Sequence, residues 1–184
     1  MDSDQLLVNG CVAGDRTSQF RLYQKYAPKM MGICLRYAKN KLDAEEILQE
    51  GFLRTFKYIH QFNGSGSLEG WIRKIIVNCS LSRFKQDINL PDTEFLEETK
   101  IQVIADVDIE ENLKRKFLIH LIQNLPPSYR MVFNLFVFEG YKHREIAQIL
   151  QISEGTSKSN LFDAKTILKK SLAVRELKIE GLEL

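Results

Sequence analysis

The sequence predicts an all-α protein made of two helical domains joined by a flexible acidic linker. Three observations carry that expectation. Apolar residues recur at steps of three and four along most of the chain, and no alternating β-branched run stands between turn signals. Charge divides sharply: residues 1–86 carry 13 Lys/Arg against 8 Asp/Glu, residues 87–112 one Lys against 9 acids, and residues 113–184 12 against 7. Two blocks of net +5 therefore flank a segment of net −8. That segment has Pro91, scattered acids and poor periodicity, so 87–112 reads as the linker between domains 1–86 and 113–184.

The totals bound the class. With 184 residues, 44% hydrophobic content and a mean hydropathy of −0.23, the composition is that of an ordinary water-soluble protein. Cys11, Cys34 and Cys79 are odd in number and lack a CxxC spacing, so reduced thiols are expected, with neither disulfides nor zinc. The start MDSDQLLVNG carries acids where a signal peptide needs positive charge, and no apolar run approaches membrane-spanning length. A cytoplasmic protein with no membrane insertion is the expectation.

Along the first block, Leu6–Val12 and Ser18–Tyr26 read as short amphipathic helices separated by Gly14-Asp15, and Pro28 as the start of another reaching Ala38. Asp43 is the expected cap of the next helix, with Glu46 completing a capping box. From Ala44 to Ile59 the buried stripe is Ala44, Ile47, Leu48, Gly51, Phe52, Thr55 and Ile59, opposite Glu46, Gln49, Glu50, Leu53 and Lys57. Leu53 is apolar in a charged face: either a singly exposed leucine or the seat of a partner helix.

Residues 61–70 form a Gly/Ser-rich loop, and Trp71–Lys85 returns to helix with Leu68, Ile72, Ile75, Ile76 and Cys79 toward the core. Its far side presents Lys74, Asn78, Leu81 and Lys85, with Trp71 at the edge. Cations beside an amide and an aromatic suit single-stranded nucleic acid, where charges follow phosphates and rings stack on bases. Solubilising lysines and a packing tryptophan are the plainer alternative. Within the linker, Ile101–Ile104 is either a short helix or a docking segment.

The second block holds a helix over 113–124, a break at Pro126-Pro127, a helix over 128–139, and then HREIAQILQISEGTSKSNLFDAKTILKK. Ile146, Ala147, Ile149 and Leu150 form the inner face of a short helix, Gln151-Ile152 a turn, and Ser153 an N-cap. On the following helix Leu161, Ala164, Ile167, Leu168 and Leu172 make a buried stripe, opposite Gly155, Lys158, Ser159, Phe162, Thr166 and Lys169. This is a helix-turn-helix whose second helix has small residues at its start and donors along its side, as entry into a DNA major groove requires. His60, His120 and His143 are dispersed, and no HExxH, GxSxG or phosphate-loop pattern occurs, so no catalytic set, metal site or cofactor is expected.

Three segments together resemble a bacterial RNA polymerase sigma factor of the small, two-domain, extracytoplasmic-function type in the sigma-70 superfamily. They are YAPKMMGICLRYAKNKLDAEEILQEGFLRTFK, FNGSGSLEGWIRKIIVNCSLSRFK and LPPSYRMVFNLFVFEGYKHREIAQILQISEGTSKSNLFDAKTILKKSL. The resemblance implies that Glu46, Gln49, Glu50, Leu53 and Lys57 dock on the β′ coiled coil of RNA polymerase core. It implies that Asn63, Gly64 and Ser65 in the loop, with Trp71, Lys74, Asn78 and Lys85 on the helix, recognise the −10 element as its strands part. It assigns −35 duplex contacts to Thr156, Lys158, Ser159, Phe162, Asp163 and Lys169, with neighbouring surface on the β flap. An anti-sigma factor is a usual further partner in the family. The chain departs from the pattern at Asn160 and Asp163, where the family often has Arg, and at Ser157, where an apolar residue is usual; somewhat weaker packing is expected there.

The rival reading is a helix-turn-helix transcriptional regulator acting without polymerase core, which needs a ligand pocket or dimer face in residues 1–86. A single-strand nucleic-acid enzyme and a helical interaction module are further alternatives. A flexible linker of this length has a root-mean-square reach of roughly 25–30 Å, so polymerase is expected to set the spacing of the two domains. The charge division also suggests that Glu94, Glu97, Glu98, Asp106, Asp108, Glu110 and Glu111 rest on the basic faces when polymerase is absent.

Overall fold

The computed structural model describes residues 3–89 and 109–180, and every regular element among them is a helix. The chain separates into two units, Met1–Ile101 and Gln102–Leu184. The first contains α1 (Ser3–Val12), α2 (Arg16–Tyr37), α3 (Lys41–Tyr58), a 3-10 turn at Ile59–Gln61, and α4 (Leu68–Asn89). The second contains α5 (Ile109–Gln123), α6 (Pro127–Val137), α7 (His143–Leu150) and α8 (Glu154–Glu180).

In the first unit α2, α3 and α4 pack pairwise, and α1 lies on α2 and the 3-10 turn. Leu22, Met30 and Cys34 of α2 meet Ile47 and Phe52 of α3 and Ile72 and Ile76 of α4 in the core. Gly51 marks the close approach of α3 to α4: a Cβ there would run into the Ile76 side chain. The whole stripe expected on α3, from Ala44 to Ile59, is buried.

Three local expectations are corrected. The helices expected at Ser18–Tyr26 and from Pro28 are one continuous α2 with Pro28 inside it. Asp15 starts it early, accepting from the backbone N–H of Thr17 at 3.1 Å and of Ser18 at 2.9 Å. An interior proline costs about 3 kcal/mol. Leu22, Tyr26, Ala27, Met30, Ile33, Cys34 and Tyr37 are all buried along the same helix, and each large apolar side chain contributes about 1.5–3 kcal/mol, so continuity wins.

The cap of α3 is Asn40, not Asp43. The Asn40 side chain accepts from Asp43 N–H at 2.8 Å, while the Asp43 carboxylate accepts from Lys39 N–H at 3.1 Å. The N-cap thus sits three residues upstream of the expected one, with the Asp43 carboxylate reaching back past it to Lys39. Likewise α4 begins at Leu68 rather than Trp71, because Ser67 Oγ accepts from Gly70 N–H at 3.1 Å.

The expected linker 87–112 is helical at both ends, since α4 runs to Asn89 and α5 starts at Ile109. The Ile101–Ile104 run and the acids from Glu94 to Asp108 lie outside the described residues.

In the second unit Leu125, Met131, Val132, Leu135, Ile146, Leu161 and Ala164 form the core. Pro127 opens α6, where a missing N–H is harmless. Gln151 takes the left-handed conformation (φ 55°, ψ 46°) that turns the chain from α7 into α8. The expected inner faces are only partly realised: Ile146 is buried, Ala147, Ile149 and Leu150 are half-buried, and Ile167 and Leu172 are exposed. An eight-residue α7 is too short to cover a 27-residue α8, so the stripe outruns its cover. No helix among the described residues is long and apolar enough to cross a membrane.

Candidate functional site

Three faces collect the residues singled out by sequence, two on the first unit and one on the second. On α3, Glu46, Gln49, Glu50, Leu53 and Lys57 are all exposed, with Leu53 at 66%. Leu42, also 66% exposed, stands about three turns up the same stripe. Sequence reasoning missed it because the helix was expected to begin at Ala44; the Asn40 cap is the signal that places Leu42 on this face. An exposed apolar pair thus stands at the two ends of a carboxylate- and amide-bearing stripe.

Glu46 has a second task. Its carboxylate accepts from Arg83 of α4 at 2.6 Å, and Arg83 Nε lies 3.2 Å from the nearly buried Asp43 carboxylate. This tie fixes α3 against α4. Glu50 accepts from Arg54 one turn on, at 2.6 Å.

The second face of this unit is the loop before α4 and the outer side of α4. Asn63 Oδ1 accepts from Ser65 N–H at 3.0 Å and from Ser65 Oγ at 2.6 Å, so the loop is a self-bonded Asx turn. Gly64 and Gly66 take φ of +76° and +104°, with open space where a Cβ would stand. Lys74, Asn78 and Lys85 are exposed on α4 as expected. Leu81 is not: it is buried, because α4 packs on both α2 and α3 and its inner arc is wide. Trp71 is half-buried with its ring tilted against Phe62 at a centroid distance of 5.8 Å. It packs and remains partly accessible.

On the second unit Ser153 caps α8, its Oγ accepting from Thr156 N–H at 2.9 Å. The Thr156 hydroxyl bonds back to Ser153 at 2.8 Å, and Ser159 Oγ donates to the Thr156 carbonyl at 3.1 Å. Beyond this ordered first turn, Lys158, Phe162 and Lys169 project outward, Phe162 at 71% exposure. A phenylalanine so open on a helix that buries its other side is an unsatisfied contact. Lys158 pairs with Glu154 at 2.8 Å and holds that carboxyl below its ordinary range.

Asp163, where the sequence placed a −35 contact, faces a neighbouring helix in the free protein. It is half-buried, and its negative charge beside the Tyr129 hydroxyl of α6, with a hydrogen bond from that hydroxyl, pushes the phenol pKa up. In the free protein it ties α8 to α6. Asn160 is buried, and Ser157 is fully buried with its Oγ 2.9 Å from His143 Nδ1. The weaker packing expected at Ser157 is thus accompanied by a hydrogen bond that the sequence did not reveal. No cluster of potential metal ligands occurs among the described residues.

The architecture defines a class: a helical unit followed by a helix-turn-helix unit. The family model for sigma-70 region 2 matches residues 22–87, and the model for sigma-70 region 4 matches residues 118–168, together well over half of the chain. The chain belongs to the sigma-70 family and is an RNA polymerase sigma factor of the extracytoplasmic-function type. The rival reading as a regulator independent of polymerase is not favoured.

Among curated relatives, the RNA polymerase sigma-H factor of Pseudomonas aeruginosa is 26% identical over 184 residues, covering 93% of this chain and 94% of its own. The ECF RNA polymerase sigma-E factor of Haemophilus influenzae is 26% identical, covering 92% and 95%. The sigma-E factor of Escherichia coli K12 is 25% identical, covering 89% and 91%. Two solved structures share the fold. Sigma factor RpoE from Bartonella quintana, in complex with anti-sigma factor NepR, has a TM-score of 0.53 at 18% identity, covering 84% of this chain and 96% of that one. CnrH, in complex with the cytosolic domain of CnrY, has a TM-score of 0.50 at 15% identity, covering 94% and 99%.

Proposed function

We propose that the two units divide promoter recognition between them. The first unit docks on the polymerase coiled coil through Leu42, Gln49, Glu50 and Leu53 of α3, with Lys57 and part of Glu46 at the rim. Its loop at Asn63, Gly64 and Ser65 receives a base leaving the −10 stack, while Lys74, Asn78 and Lys85 follow the single strand and Trp71 borders it. The second unit lays α8 in the −35 major groove, with Lys158, Ser159, Thr156 and Lys169 toward phosphates and bases and Phe162 against an apolar base edge. The single observation that carries this reading is the pairing of an exposed Leu42/Leu53 stripe on α3 with a capped, open Phe162/Lys158 face on α8.

The mechanism needs no catalysis by this chain. Melting is driven by capture of unstacked bases, whose stacking and phosphate contacts offset the unpairing. Each DNA contact is weak alone, and tethering both units to one polymerase raises their effective concentration on the promoter. We place the protein in the cytoplasm with polymerase, and assign it an anti-sigma partner by likeness to RpoE bound to NepR.

A pull-down with core polymerase tests the docking half. Wild type is retained, and Leu53→Glu, which buries a charge in the contact without touching the core of the fold, is lost. Retention of Leu53→Glu at wild-type affinity would falsify the α3 assignment.

A further inference from the structure

We infer that His143 and Ser157 form a polar latch that aims α8, so that His143 is a positioning residue for −35 reading; this rests on the proposal that α8 enters the duplex. Ser157 is 0% exposed, in the turn of α8 that precedes the outward Lys158, Ser159 and Phe162. Its Oγ shares a 2.9 Å hydrogen bond with Nδ1 of His143, the first residue of α7. The imidazole stacks on Phe136 of α6 at 4.7 Å with the planes 24° apart, and Lys165 Nζ of α8 lies 5.7 Å from the same ring centroid. Three helices therefore meet at a directional, polar-aromatic point.

Between α7 and α8 the rest of the contact is largely non-directional. Ile146, Leu161 and Ala164 pack by apolar contact, and such packing tolerates a small roll of one helix on another. A hydrogen bond weakens steeply once its angle departs from linearity. The Ser153 cap fixes where α8 begins. The latch fixes its rotation about its own axis, and a roll at Ser157 is carried directly to Lys158 and Phe162. Base recognition needs side chains held within about 0.5 Å of their productive place.

The test uses the full chain with core polymerase. The template is a promoter recovered by the wild-type holoenzyme from a library randomised at −35, compared with the same promoter scrambled there. The readout is the ratio of initiation on the two, together with the melting temperature of the free chain. His143→Phe keeps a ring on Phe136 and deletes the bond; Ser157→Ala deletes it from the other side. Each is expected to lower the ratio by up to about tenfold, the scale of one net hydrogen bond lost from the aim of α8. The double variant leaves neither partner orphaned, so its melting temperature returns toward wild type while the ratio stays low. His143→Asn, which sets an amide near the Nδ1 position, keeps most of the ratio. Wild-type ratios in both single variants, or a double variant that recovers ratio and melting temperature together, would overturn the latch. A wild-type ratio of one would instead overturn −35 reading by α8, and the latch with it.

Discussion

Phe162 is the residue whose surroundings least explain it. At 71% exposure on a capped helix it contributes nothing to the core, so Phe162→Ala should leave the melting temperature unchanged. On a −35-dependent promoter it should weaken initiation by about 1–3 kcal/mol of recognition, the scale of one base contact. Unchanged initiation would remove Phe162 from the interface. Cys34 illustrates the opposite environment. Burial pushes its thiol from the ordinary 9.0 up to about 12, so the fold favours the neutral form. That contribution is complete below about pH 9 and declines as pH rises toward 12. Unfolding of the first unit, followed through its single tryptophan, Trp71, should become easier across that window, and Cys34→Ala should flatten the slope. An identical slope in the variant would contradict the assignment. The exposed members of the α3 and α8 faces were legible in sequence, because helical periodicity alone separates Leu53 and Phe162 from their buried neighbours. Leu42, Arg83, Tyr129 and His143 were not: each acts through a partner in another helix or through a shifted cap, and periodicity within one helix carries no such information.

At the scale of elements, local rules and tertiary packing compete, and α2 shows which wins. Pro28 suggested two short helices, Ser18–Tyr26 and another from Pro28 to Ala38. The single α2 exists because its inner face is continuous from Leu22 to Tyr37. Pro28 is exposed and withholds a donor from the helix, so Pro28→Ala should raise the stability of the first unit by about 1–3 kcal/mol, measured by denaturant unfolding. A loss of stability would show that Pro28 supports a bend the fold needs. The helix-turn-helix was the most legible element, since its turn, its Ser153 cap and its outer face all depend on residues close in sequence. The ends of α4 and α8 were less so. Helix continues past Lys85 where the acids of the linker begin, and the apolar stripe of α8 outlasts the helices that cover it.

For the whole molecule, the proposed division into a docking unit and a reading unit rests on faces built on different helices of two units, which match sigma-70 region 2 and region 4. On the proposed division, the two units meet their targets through different faces. Damage to α3 should therefore abolish all initiation by the holoenzyme, whereas damage to α8 should remove only the benefit of an intact −35 element. The most direct measurement is transcription by core polymerase supplied with this chain, on four templates: both elements intact, each scrambled alone, and both scrambled. Initiation should be strong only with both elements intact, weak with either one, and absent without both, with Leu53→Glu silent on all four. Equal initiation on all templates, or initiation by core that is indifferent to the added chain, would contradict the account.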